Sequence, residues 1–264
     1  MSLLFLLSPA KSLDFESPLN FRQATEPQFL DRAAELVRIA SKLSPMQLRE
    51  LMSISEDLAQ LNHARFRAWD KAHDVSLGAR PCVLAFDGDV YTGLQAKGLD
   101  KRAMNYLEKH LRILSGLYGV LRPFDAMRPY RLEMGTKLKT SYGKNLYDFW
   151  GDTVTQSLNQ YLNDAKVKMI VNLASEEYFG VVKPKLLEVP VITPVFEDFS
   201  AGRFKIVSFF AKKARGTMMR YCAENKIKRA GDLKGFNLDG YAFCETASDA
   251  NRWVFRRSVV DAKA

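Results

Sequence analysis

Two glycines three residues apart interrupt an apolar stretch of this chain, and they limit what that stretch can form. Leu107, Leu111 and Leu114 are spaced as on one face of an amphipathic helix. Gly116 and Gly119 then end that pattern, because paired glycines break a helix and permit a tight turn. A second short apolar segment follows. The sequence therefore predicts a helix, a glycine turn and a second short helix between residues 110 and 127.

A turn of this kind has two interpretations. In a helix-hairpin-helix element, the exposed amides of the hairpin and of the next helix can hold a phosphate, because their N–H groups are unpaired. The alternative is a plain turn between two helices, which Gly-x-x-Gly also forms. Residues 101–144 carry ten Lys or Arg against three acids, so the phosphate interpretation stays open. Under the phosphate interpretation, the residues that bind the phosphate are Gly116, Leu117, Tyr118, Gly119, Arg112 and Arg122.

The composition is that of an ordinary globular protein, with 264 residues, 47% hydrophobic and 26% charged. The net charge of +9 suggests a nucleic acid, an anionic membrane or another polyanion as partner. Three scattered cysteines without metal spacing fit a reducing cytoplasm and predict neither a metal site nor a cofactor. The apolar run at residues 3–7 lacks the flanks of a signal peptide, and no run reaches the roughly 20 residues of a membrane span.

Short apolar runs alternate with segments of helical periodicity, which predicts an α/β (mixed α+β) fold. The predicted strands are residues 3–7, 82–86, 168–174, 189–196, 204–210, 241–245 and 252–256. Beyond the central stretch, the predicted helices are residues 27–43, 44–52, 55–72, 145–163 and 211–225. Several of these strands follow one another closely enough to form hairpins, so the sheet should be mixed and partly antiparallel, with helices around it. No linker or repeat divides the chain, and we expect a single domain over residues 1–264.

Basic residues outside the central stretch predict a second basic surface or cleft. Lys11 follows the first strand in a small hydroxyl-bearing loop that could cradle an anion, although it lacks the glycines of a phosphate-binding loop. Lys212, Lys213 and Arg215 lie at a helix start, where positive charge is unfavourable for the helix dipole. An anionic ligand would explain them better than a solvated surface. We expect Arg131 to join this surface.

Five carboxylates leave an enzyme interpretation open. Asp87, Asp89, Glu133, Glu176 and Glu177 follow strands or turns, where a metal-dependent enzyme acting on nucleic acid or a nucleotide would place them. A turn at Asp-Gly and a helix cap at Ser175 are the structural alternatives. Known hydrolase and dinucleotide motifs are absent from the sequence, so catalysis stays undecided and no catalytic residue is assigned. The enzyme interpretation requires these acids to meet the basic groups in one cleft.

Several long stretches together resemble one protein family. In chain order they are LLSPAKSLDF, FDGDVYTGLQA, HLRILSGLYGVLRPFDAMRPYRLEMG, LYDFWGD, VNLASEEYF, VKPKL and SFFAKKARG. The sequence closely resembles the YaaA family of peroxide stress proteins over nearly its whole length. The resemblance implies a cytoplasmic protein that protects bacteria during hydrogen peroxide stress and is linked to lower free intracellular iron.

The resemblance also implies a mixed α/β fold with a basic cleft and a helix-hairpin-helix. Proteins of this family bind duplex and branched DNA without known sequence preference, and no catalytic activity is established for them. The hairpin is expected at Gly116–Gly119; the second candidate is the helix pair around Leu43 to Trp69, which lacks the glycines. The expected partner is therefore double-stranded or branched DNA, with no membrane and no obligate protein partner. Direct iron sequestration is a third hypothesis, which the few His and the lack of a Cys cluster oppose.

Overall fold

The computed structural model describes residues 3–19 and 23–258, and they form a mixed α/β fold as predicted. The strands are β1 (Leu3–Leu7), β2 (Ser12–Leu13), β3 (Arg80–Pro81), β4 (Phe86–Asp87), β5 (Leu111–Ser115), β6 (Gly119–Leu121), β7 (Ala126–Met127), β8 (Met169–Leu173), β9 (Val191–Ser200), β10 (Arg203–Lys205), β11 (Ala242–Phe243) and β12 (Arg252–Arg257). The α-helices are α1 (Leu30–Ala40), α2 (Pro45–Met52), α3 (Glu56–Ala68), α4 (Cys82–Ala85), α5 (Asp89–Leu94), α6 (Lys101–His110), α7 (Leu146–Trp150), α8 (Thr153–Asp164), α9 (Glu176–Phe179) and α10 (Ser208–Asn225).

One large mixed sheet organises these elements. Its strand order is β11-β12-β9-β8-β1-β5-β6, with β10 paired to β9. Strands β5, β1, β8, β9 and β12 run parallel, whereas β6, β10 and β11 are antiparallel to their neighbours. All five residues of β1 are buried, as expected for a central parallel strand that is covered on both faces. The prediction of a mixed, partly antiparallel sheet is confirmed.

Helices α5 and α10 cross with their backbones in contact. A Cβ added to Gly216 would lie 1.7 Å from the carbonyl oxygen of Val90, and one added to Gly93 would lie 2.1 Å from that of Lys213. Only glycine permits such an approach at both positions, because any side chain would occupy the space of a backbone atom. The crossing therefore holds α10 at a fixed position against α5, and α10 also packs on β9.

The glycine turn of the central stretch is not a helix-hairpin-helix, and that prediction is wrong. Helix α6 ends at His110, strand β5 follows at once, and the turn after Ser115 leads into the antiparallel strand β6. Leu111, Ile113 and Leu114 are all fully buried because β5 is covered on both faces. A strand with apolar residues on both faces matches a helical spacing as well as a strand spacing, which explains the error.

Three further predicted elements also differ. Residues 82–85 form helix α4, so only β4 remains of the strand predicted there. The strand predicted at residues 204–210 ends at Lys205, and α10 begins at Ser208. The helix predicted at residues 145–163 is divided by Gly151, whose φ of +49° ends α7 before α8 begins. Strand β8 and the β11–β12 pairing are confirmed, and the helix predicted from residue 44 begins with a capping box at Ser44.

Candidate functional site

The turn between β5 and β6 belongs to the core. Gly116, Leu117, Tyr118 and Gly119 are all buried, so their amides are not offered to a phosphate in solution. A Cβ on Gly116 would lie 2.2 Å from the carbonyl oxygen of Leu132, and one on Gly119 would touch the Trp150 ring at 2.8 Å. The glycines thus permit close packing. The Tyr118 hydroxyl accepts a hydrogen bond from Trp69 Nε1 at 3.0 Å.

Arg112 and Arg122 both have partners within the protein. Arg112 is 6% exposed; its guanidinium stacks 3.9 Å from the Tyr161 ring centre and donates to the carbonyl oxygen of Leu111 at 2.7 Å. Arg122 Nε donates to Asp125 Oδ1 at 2.9 Å. Both arginines line one cavity of about 360 Å³ beside α8. A duplex backbone has little access to the buried Arg112, whereas Arg122 is partly exposed.

The second hairpin candidate does form two helices. Helices α2 and α3 are joined by Ser53, Ile54 and Ser55, and Ser53 takes the left-handed conformation that a glycine would favour. However, the first turn of α3 carries Glu56 and Asp57, both exposed. Their negative charges occupy the helix end that would attract a phosphate. The charge at this hairpin is therefore unfavourable for a nucleic-acid backbone.

A different group of polar side chains converges at the carboxyl ends of the parallel strands β1 and β8, which lie side by side. We call it the sheet-end cluster, and its members are Ser8, Lys11, Asp89, Arg131, Glu133, Ser175, Glu176, Glu177, Lys212 and Arg215. The backbone N–H of Ser175 donates to Ser8 Oγ at 2.9 Å, and the hydroxyl of Tyr91 donates to the Ser8 carbonyl oxygen at 3.1 Å. The first bond joins the two loops that follow β1 and β8, and the second ties the loop after β1 to α5.

Lys11, Glu133 and Arg131 form a chain of charges in this cluster. Lys11 Nζ lies 2.6 Å from Glu133 Oε1, and Arg131 lies 3.8 Å from the same carboxyl oxygen. The Lys11 side chain is 65% exposed, whereas those of Arg131 and Glu133 are each 16% exposed. Arg131 Nε is buried without a hydrogen-bond partner among the residues that the structure describes. The guanidinium of Arg131 is thus only partly satisfied by the protein.

The two glutamates after β8 have separate partners. Ser175 caps α9, as predicted, by accepting a hydrogen bond from the Tyr178 amide. Glu177 Oε1 accepts from the Gly135 amide at 2.9 Å, which ties the loop around residue 135 to α9. Burial lowers the pKa of the Arg215 guanidinium, and the nearby charge of Glu176 opposes that change. Within the described ranges, Arg215 makes neither a hydrogen bond nor an ion pair within 4.0 Å.

Helix α10 adds the remaining basic residues. Lys212 Nζ lies 3.8 Å from Asp89, and Lys213 Nζ lies 3.8 Å from Asp239, outside the cluster. Asp89 follows Gly88, whose added Cβ would lie 3.2 Å from Ala10, next to Lys11. Asp87 is exposed and pairs through its backbone with Ser12 in the β2–β4 ladder. Three of the five predicted acids, Asp89, Glu133 and Glu176, therefore lie near basic groups at the sheet end. Glu177 binds the Gly135 amide instead, and Asp87 is not part of the cluster.

The sequence predicted functional roles for all the charged members of the cluster but not for the neutral ones. Ser8 and Ser175 were missed as members, although each directly follows a predicted strand. That position is a usable signal, since side chains at the carboxyl ends of parallel strands meet at one edge. Within residues 3–19 and 23–258, no group of three or more His, Cys, Asp or Glu side chains is placed to share a metal ion. In those same ranges, no helix is both long and apolar enough to cross a membrane.

Comparisons with known proteins agree on one family. A family model described as "Peroxide stress protein YaaA" matches residues 3–247. A UPF0246 protein of Janthinobacterium sp. (strain Marseille) is 52% identical over 257 residues, which cover 97% of this chain and 99% of the relative. A UPF0246 protein of Paraburkholderia phytofirmans is 52% identical over 261 residues, covering 98% and 100%. One of Idiomarina loihiensis is 52% identical over 256 residues, covering 97% and 99%.

Proposed function

The chain belongs to the YaaA family of peroxide stress proteins, and from that premise we propose that it binds DNA through the phosphate backbone, without sequence preference, during the peroxide response. The partner would be double-stranded or branched DNA in the cytoplasm. A net charge of +9 supports this proposal, since contacts with the phosphate backbone are largely electrostatic. The link to lower free iron is part of the proposal on family membership alone, and no residue is assigned to it.

One observation carries the DNA proposal. Lys137, Lys139 and Lys144 are exposed, and in the part of the chain that the structure describes their side chains have no ion-pair partner. The segment that holds them follows Gly135, whose amide is bound by Glu177 of the sheet-end cluster. Unpaired exposed lysines can release counterions from DNA without first breaking a contact within the protein. We name these three residues the lysine segment.

The half-exposed lysines of α10 would extend this surface. The side chains of Lys212 and Lys213 are 52% and 42% exposed, and each lies 3.8 Å from its carboxylate. At that distance and exposure an ion pair contributes little, so either lysine can turn to a phosphate. The buried Gly116–Gly119 turn and Arg112 are not part of the proposed surface, because a duplex cannot reach them.

Neutralising the three lysines of the lysine segment is expected to weaken DNA binding and to reduce its dependence on salt. The triple variant is Lys137→Gln, Lys139→Gln, Lys144→Gln. The slope of log K against log salt should become about 2–3 units less negative, because each lost phosphate contact removes about one unit of slope. Binding should weaken equally for unrelated duplex sequences. The measurement is a mobility shift with two duplexes and one branched DNA at several salt concentrations.

A matched control removes three positive charges near the amino ends of the parallel strands, at the other end of the strands from the sheet-end cluster. Lys109 and Lys228 lie near His110, which is hydrogen-bonded to the Leu3 carbonyl at the start of β1, and Lys168 immediately precedes β8. All three are exposed. The triple Gln variant at these positions should keep nearly the wild-type slope. Equal losses in both triple variants would mean that net charge alone, and no particular surface, governs binding.

Neutralising the α10 lysines tests the extension. The variant Lys212→Gln, Lys213→Gln should lower affinity for every DNA tested by a similar factor and reduce the salt slope by about 1–2. The reason is that both side chains would contact phosphates and neither would read a base. Fluorescence anisotropy with labelled duplexes measures this. Unchanged affinity in this variant would show that α10 does not contact DNA. The role of the lysine segment would still be decided by the triple variant.

A further inference from the structure

The sheet-end cluster lies where ligands commonly bind in α/β proteins. In open sheets with parallel strands, binding sites form beyond the carboxyl ends of the strands, where loops from several strands meet. Here the loops after β1 and β8 are joined by the Ser8–Ser175 hydrogen bonds. The loop around Gly135 joins them through Glu177. Three separate parts of the chain thus bring polar groups to one edge.

Two guanidinium groups in this cluster are largely withdrawn from solvent without full pairing. Arg131 is 16% exposed in its side chain, shares Glu133 with Lys11 and has a buried Nε without a partner within the described ranges. Arg215 has the charge of Glu176 nearby but no ion pair within 4.0 Å among the described residues. Withdrawing a charge from water is costly unless hydrogen bonds or an opposite charge compensate it. An anion bound from solution would provide that compensation.

Close backbone packing fixes both guanidinium groups in place. Gly116 brings the turn after β5 against the backbone of Leu132 and Glu133, next to Arg131. Gly216 brings α10 against α5 at the residue after Arg215. Since neither contact can relax while the fold is intact, the two arginines are held by rigid backbone beside α9. A site with fixed donors loses little conformational freedom when a ligand binds.

We propose that the sheet-end cluster binds a small oxyanion, namely a phosphate or carboxylate group of a metabolite, with Arg131 and Arg215 as its main donors. Arginine suits this role because its planar group can donate two parallel hydrogen bonds to such an oxyanion. Lys11, which is exposed, adds charge at the entrance. Glu133 competes with the ligand for Arg131 and Lys11. The main donors of this site differ from the proposed DNA surface, which consists of exposed lysines; only Lys212 belongs to both.

The test is calorimetry and thermal unfolding of the full chain with inorganic phosphate, pyrophosphate or citrate, at constant ionic strength. We expect at least one probe to bind the wild type and raise its unfolding temperature. Phosphates binding without citrate would identify a phosphate ligand, and the reverse a carboxylate. Arg215→Gln should weaken that binding about tenfold or more, because it removes a charged hydrogen-bond donor. Glu133→Gln should strengthen it severalfold, because it frees Arg131 and Lys11.

The controls separate this site from general effects of charge and folding. Lys168→Gln removes an exposed charge at the opposite edge and should bind the probe like the wild type. Lys11→Gln, at an exposed position that tolerates substitution, should weaken binding even if Arg215→Gln fails to fold. The lysine-segment variant should bind the probe like the wild type, although its DNA binding is weakened. Failure of all three probes to bind the wild type would overturn the proposal. Stronger binding by Arg215→Gln, weaker binding by Glu133→Gln, or the same change in both variants would overturn it as well.

Discussion

Replacing Gly216 with alanine is expected to lower the free energy of unfolding by about 2–3 kcal/mol. The added Cβ would lie 1.7 Å from the Val90 carbonyl oxygen and 2.8 Å from the Leu94 nitrogen. Both are backbone atoms of α5, so no side chain can rotate away, and the two helices must separate. The better helix propensity of alanine, about 1 kcal/mol, offsets only part of this cost. Equilibrium urea unfolding followed by tryptophan fluorescence measures the change.

The control for this prediction is Gly231→Ala. Gly231 has no atom within 4 Å of an added Cβ and does not adopt a positive φ. Its substitution should therefore change the free energy of unfolding by less than about 0.5 kcal/mol. If Gly216→Ala unfolds at the same urea concentration as the wild type, the close crossing of α5 and α10 is incorrect. The position of Arg215 on α10 would then lose its structural basis as well.

The elements that the sequence predicted well are those with local signals. The continuous apolar run at Leu3–Leu7 indicates a buried parallel strand, and it lies inside the sheet between β8 and β5. Ser44, Ser55 and Ser175 each precede a helix and accept the capping hydrogen bond that their positions predict. Each of these signals depends on a few neighbouring residues, so no distant contact can override it easily.

The errors occurred where distant contacts decide the structure. Strand β5 contains Arg112 between buried apolar residues, and that charge made a fully buried strand look like one face of a helix. Arg112 is accommodated because Tyr161, 49 residues away, provides a ring for its guanidinium. The glycines of the β5–β6 turn were interpreted as phosphate-binding. Their actual neighbours, Leu132 and Trp150, are also distant and could not be inferred from spacing.

The candidate site shows the same limit. The sequence named Lys11, Arg131 and Arg215 as basic residues and Glu133 as a possible catalytic acid. It did not predict that Lys11 and Glu133 form an ion pair, because 121 positions between them carry no signal of their contact. Charge composition identifies which residues can bind an anion, whereas contacts between distant segments decide which of them meet.

Replacing Arg257 with methionine is expected to cost about 3–5 kcal/mol, because it leaves a buried carboxylate without its cation. Asp198 is 1% exposed and lies opposite Arg257 in the parallel β9–β12 pair, and Arg257 Nε donates to Asp198 Oδ1 at 2.6 Å. The Tyr241 hydroxyl also donates to Asp198 at 2.9 Å, but it brings no positive charge. Urea unfolding again provides the measurement. This strand pair anchors β11 and the C-terminal part of the described chain to the sheet.

Two further variants decide whether the buried charge is the cause. Adding Asp198→Asn to Arg257→Met removes the unpaired carboxylate, so the double variant should be more stable than Arg257→Met alone. Arg229→Met breaks an exposed ion pair with Asp232, in which the Arg229 side chain is 83% exposed. It should lower the free energy of unfolding by less than about 1 kcal/mol. A double variant no more stable than Arg257→Met would mean that Arg257 acts through its stacking on Phe210 and Tyr241, each about 4.6 Å from its guanidinium, and not through its charge.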